Sequence, residues 1–171
     1  MVGFLVRHPI FTLSVVGSLI GTILSYIAPH FTRDYLCADE DFTIGNLGIS
    51  VFVHNGFAHY VGNLFFMIPG ALLCEAFYNN GVVLVAILIF SFVDSMLCIP
   101  MKRATCGYSG VQYMLCSMAC VWGFHWWGFT ILGILVLASV TLDKGEKTDV
   151  FAHVFGFITG GVLGSLLQIF G

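Results

Sequence analysis

Charge is what this chain has least of: only 9% of its 171 residues are charged, while 58% are hydrophobic and the mean hydropathy is +0.98. A soluble domain carries about 25% charged residues, so a surface meeting water over most of its area is excluded. The formal net charge of -3 is too small to argue for nucleic acid or another strongly polar partner. Neither His-Glu-x-x-His nor Cys-x-x-Cys occurs, which removes the helical zinc-protease motif and the paired-thiol motif. No Ala-x-Ala site follows the first apolar run, so Ile10 to Ile27, preceded by Arg7, reads as a first span and not as a signal peptide. There is no internal repeat and no low-complexity tract.

Long continuous apolar runs are what the chain has instead. Crossing hydrocarbon takes about 20 mainly apolar residues per helix, and runs without alternation select helices over a closed barrel. The expected fold is therefore an all-α membrane protein, one domain over residues 1–171. Its six spans fall at about 10–27, 58–78, 82–99, 109–122, 127–142 and 150–170. Pro9 suits a first helical turn, Asn79-Asn80-Gly81 closes the second span, Pro100 stops the third, and Trp126-Trp127 leads into the fifth at a membrane interface. Between spans one and two, a polar connection holds Arg33, Asp34, Asp39, Glu40 and Asp41. Leu47 to Val53, mildly apolar, suits the interface. The six cysteines (Cys37, Cys74, Cys98, Cys106, Cys116, Cys120) read mostly as small apolar fillers.

Polar groups inside spans are costly and are read as functional by default. Here they cluster. His59 and Asn63 lie one helical turn apart at the start of span two, with His54 just before them. Ser109 opens span four, flanked by Gly107 and Gly110, and Tyr113 follows one turn later on its face. His153 sits at the start of span six. Even-numbered spans run in the same direction, so all these groups share one membrane leaflet. On span six His153, Gly156, Gly160 and Gly164 form a stripe, and small residues at this spacing let another helix approach closely. If that partner is span four, His153 is brought towards Ser109; packing alone would explain the glycines but not a histidine heading them.

A serine hydroxyl becomes a useful nucleophile when a base takes its proton, and histidine suits that task near neutral pH. Glycines beside Ser109 allow a tight turn, although Gly-x-Ser-Gly also occurs in plain turns before helices. At a helix N-terminus the free N–H groups favour a developing oxyanion. His59, the Asn63 amide and the Ser109 N–H are donors of the right kind. No acid is placed to orient His153, since Asp149 falls at the water boundary; a dyad is expected, with Tyr113 packed on the imidazole. Glu75, near the far end of span two, reads as a structural cap.

In order, His54-x4-His59-x3-Asn63, then Gly107-x-Ser109-Gly110 with Tyr113, then Ala152-His153-x2-Gly156-x3-Gly160 resembles the rhomboid family of intramembrane serine proteases. The resemblance spans the chain and implies that family's minimal six-helix bundle. It implies Ser109 as nucleophile, His153 as general base, an oxyanion site of His59, Asn63 and the Ser109 backbone, and His54 in support. It further implies single-span membrane proteins as substrates, no cofactor or metal, and a multi-pass protein of the cell (inner) membrane whose active site faces outward.

Two features depart from that pattern. The first connection lacks the Trp-Arg pair many rhomboids carry. The family orientation also leaves Arg33, Lys102, Arg103, Lys144 and Lys147 outside and only Arg7 inside, against the positive-inside rule. Three histidines could hold zinc, but Ser109 and Asn63 would then be unexplained. A catalytically silent rhomboid-like binder or a small transporter is the non-enzymatic alternative. Silent relatives usually lose the serine or the histidine, and a transporter would show more broken helices or mid-membrane charges than Asp94 and Pro69 supply.

Overall fold

The computed structural model describes residues 2–37, 48–54, 56–98, 107–142 and 150–170. Among these residues the chain is helical almost throughout and has no strand. After a short helix, Val2–Arg7, come α1 (Pro9–Ile27), α2 (Phe57–Phe77), α3 (Asn80–Cys98), α4 (Ser109–Ala119), α5 (His125–Leu142) and α6 (Val150–Phe170). Four of them, α1, α2, α3 and α6, are long and apolar enough to cross a membrane, as an integral membrane protein requires. The remaining two apolar segments form the shorter α4 and an α5 whose apolar stretch is Trp126–Ala138.

Local chemistry sets the helix ends. Ala28 precedes Pro29 and leaves the helical region at φ -141, as a residue before proline must. Asn79 caps α3, its Oδ1 accepting N–H groups from Gly81 at 2.9 Å and Val82 at 3.4 Å. Glu75 is the cap its position suggested. Its Oε1 accepts the N–H groups of Ile10 (2.6 Å) and Phe11 (3.0 Å), and Oε2 pairs with His8 Nδ1 at 2.7 Å. A carboxylate thus satisfies the orphan donors of α1 at the positive end of its dipole.

α4 is the centre of the bundle: Gly110, Val111, Gln112, Met114, Leu115, Ser117, Met118 and Ala119 are all buried. Its direction fixes its neighbours. On α6, a Cβ at Gly156, Gly160 or Gly164 would collide in turn with Gly110 O, with Met114 O and with Val121 and the Met118 backbone, so α4 and α6 run parallel in near-backbone contact. Gly161 packs on Phe129 and Gly133 on Phe157, so α5 runs the other way, and the chain reverses through the wide helical turn Cys120–Phe124. α2 is tied to α4 by Cys74 Sγ donating to Leu115 O (3.2 Å) and by Tyr78 donating to Met118 O (2.8 Å). Outward faces are apolar, with Val85, Leu88 and Ile89 on α3 and Ile158, Val162 and Leu166 on α6 exposed.

The described part of the Leu47–Val53 stretch packs into the bundle: Ser50, Val51, Val53 and the adjacent His54 are buried, while Ile49 is exposed. The reason is a groove on α1. Gly21 has no side chain where Phe52 O comes within 2.1 Å of a would-be Cβ, and Gly17 faces the Phe52 ring, so the segment wedges between α1 and the rest of the bundle. One expectation is corrected: Cys37 is not a filler, being buried and disulfide-bonded, whereas Cys74, Cys116 and Cys120 are free. The expectations on Asp39, Glu40, Asp41, Cys106, Lys102, Arg103, Lys144, Lys147 and Asp149 lie outside the described residues.

Candidate active site

Ser109 is the first residue of α4 and is half-buried. The turn before it is built by two anchors. Gly107 has φ +131, a backbone that glycine adopts readily and other residues do not, and its N–H donates to Ser50 O at 3.2 Å. Tyr108 is fully buried, shares a 2.7 Å hydrogen bond with the Ser14 hydroxyl of α1, and lies 5.5 Å from the Phe52 ring. The first N–H of α4 to find an intrahelical carbonyl is Gln112, bonded to Tyr108 O at 2.8 Å. The N–H groups of Ser109, Gly110 and Val111 therefore sit ahead of the helical ladder, at the positive end of the dipole.

The α4–α6 contact decides what faces Ser109. A Cβ on Gly110 would meet Ala152 Cβ and O, both at 3.3 Å, so the residues next to Ser109 and next to His153 touch. His153 is buried at 4% exposure. Its ring centroid lies 4.7 Å from that of Tyr113, tilted by 44°, and Tyr113 shares the face of Ser109 one turn along α4. Ser109 and His153 therefore lie at neighbouring ends of two parallel helices in contact, with Tyr113 packed against the imidazole.

His59 and Asn63 come from α2, parallel to α4. Gly70 packs on Cys116, and Cys116 Sγ approaches Phe66 O at 3.4 Å. Asn63 is 9% exposed and its Nδ2 has no acceptor among the described residues, as a donor held for a ligand oxygen would be. His59 is half-buried. His54 is fully buried edge-on to it, ring centroids 5.5 Å apart, with Nδ1 3.4 Å from Phe52 O. Burial first, and the neighbouring His59 second, push the His54 pKa down to about 4, so it is neutral at pH 7.

Sequence reasoning passed over three contributors. Ser50 holds the Gly107 turn, Ser14 holds Tyr108, and Gln112 is a buried amide (4% exposed) whose Oε1 has no donor among the described residues. Gln112 carried a signal, since it is a polar side chain inside an apolar run. Ser50 and Ser14 carried none, because serine is unremarked in connections and in spans alike. Among the described residues no group of three His, Cys, Asp or Glu side chains could hold a metal ion. No protein-family model matches the chain, and no curated protein matches it.

Proposed function

We propose that the chain is an intramembrane serine endopeptidase of the rhomboid kind, a six-span bundle that hydrolyses peptide bonds in or near the membrane segments of single-span proteins. The observation that carries this reading is the register of α4 on α6. Gly110 against Ala152, and Tyr113 4.7 Å from His153, bring the serine helix and the histidine helix together at the ends that bear the two groups.

In the reaction so assigned, the Ser109 hydroxyl attacks the scissile carbonyl while His153 takes its proton and then returns it to the leaving amine. The Ser109 N–H, the Asn63 amide and His59 donate to the oxyanion. Water then hydrolyses the acyl-serine, with His153 again as base. The scheme calls for no metal and no cofactor. Tyr113 limits the rotation of the imidazole by packing on it, the part an acid would play in a triad.

The Cys37 disulfide supports the orientation taken from the resemblance. Cys37 follows α1 and so lies on the membrane side where α2, α4 and α6 begin. Disulfides persist in oxidising compartments, which favours an outward-facing site despite the distribution of Lys and Arg.

The test is labelling and turnover of the purified protein in detergent. A fluorophosphonate is expected to modify Ser109, and Ser109→Ala and His153→Ala are each expected to abolish cleavage of a single-span reporter. Retained cleavage in either variant, or loss of wild-type cleavage to a chelator, overturns the reading.

A further inference from the structure

We infer that Ser50 is a positioning residue for this site, an inference that rests on the serine-protease reading. Its carbonyl oxygen accepts two N–H groups: that of Val53 at 3.1 Å, closing the turn that leads into His54, and that of Gly107 at 3.2 Å, two residues before Ser109. One atom is thus the junction between the arm that carries a buried imidazole and the turn that presents the hydroxyl. Both lone pairs of the carbonyl are used, so neither arm can shift without the other.

The junction is itself fixed from three sides. The Ser50 and Ser95 hydroxyls share a 3.0 Å hydrogen bond, and both residues are fully buried, which ties the segment to α3. Phe52 O is seated against Gly21 of α1. The Phe52 ring also lies against Tyr108, which α1 holds through Ser14. Among the described residues no side chain caps the start of α4, and the Ser50 carbonyl and the Ser14 hydroxyl hold the turn that precedes it. Small misplacements of a nucleophile are expensive in rate, and Ser50 lies behind the turn, where it meets no substrate. Ser50→Ala keeps that carbonyl but removes the tie to α3 that holds it in place, so the change should register in the chemical step and not in substrate binding.

The experiment compares wild type, Ser50→Ala, Ser95→Ala, the double variant and Ser50→Thr, measuring fluorophosphonate labelling rate, kcat and KM, with thermal unfolding alongside. Each single Ala variant is expected to lower both the labelling rate and kcat about tenfold with KM within about twofold. Ser50→Thr should keep most of the activity by retaining the hydroxyl, and the double variant should lose at least as much as either single. Labelling rates and kcat within about twofold of wild type in the Ala variants overturn the inference. So does a change confined to KM. Should Ser50→Ala fail to fold, Ser95→Ala reads the same bond from α3. A wild-type protein that the probe does not label at Ser109 instead removes the serine-protease reading, an outcome distinct from the other failures.

Discussion

The imidazole of His54 has no exposed surface, and its pKa falls from 6.5 to about 4 because burial, and then His59, disfavour its charged form. In the unfolded chain it takes up a proton near pH 6.5; in the folded protein it does so only near pH 4. Between those values the unfolded state binds more protons, so stability rises with pH there. The contribution is complete above pH 6.5 and is lost as pH falls towards 4. From pH 7 to pH 5 this one group accounts for about 2 kcal/mol. His54→Gln, which does not titrate, is expected to show a loss of unfolding free energy over that interval smaller than wild type by about this amount. Equal losses in the two proteins would mean that His54 is hydrated and charged in the fold.

Between elements, the stripe on α6 makes a graded prediction. A methyl at Gly156 or Gly160 would come within 2.1 Å of a backbone carbonyl of α4, whereas at Gly164 its two nearest neighbours are the Val121 Cγ2 and the Tyr78 hydroxyl at 2.9 and 3.0 Å, and the α4 backbone (Met118 Cα) is no closer than 3.1 Å. Side-chain ends can swing aside; a helix backbone moves only as a whole. Gly156→Ala and Gly160→Ala should therefore each destabilise by about 1–3 kcal/mol. Gly156→Ala should also cut labelling of Ser109, since it parts the helices at the end that bears Ser109 and His153. Gly164→Ala should be milder on both counts, helped by the better helix propensity of alanine, worth about 1 kcal/mol. Denaturation in mixed micelles checks the order, and equal effects at all three glycines would contradict this close approach. The stripe was legible in the sequence because its spacing is helical and a histidine heads it. So were the helices, because apolar runs without alternation leave few other structures. The wedge at Ser50–His54 was not. Its burial depends on Gly17 and Gly21 of α1, distant in sequence, and a short mixed segment carries no period that says which groove will receive it.

For the whole molecule the open conflict is orientation. The rule that places Lys and Arg inside would turn the start of α4 towards the cytoplasm, while a disulfide at Cys37 needs that side to be oxidising. These two arguments differ in kind. The charge rule is a bias that acts during insertion and can be outvoted by the hydrophobicity of the spans. A disulfide is a covalent product that a glutathione-buffered cytosol removes. The bond should therefore win, and thiol counting can show whether it does. Of the 6 cysteines one disulfide consumes two, so protein trapped by acid from native membranes and then denatured should react with four equivalents of a maleimide before reduction and six after it. Cys37→Ser should remove the difference between the two counts. Six reactive thiols before reduction would leave the proposal of an outward-facing site without structural support, and the Lys and Arg distribution would then set the orientation.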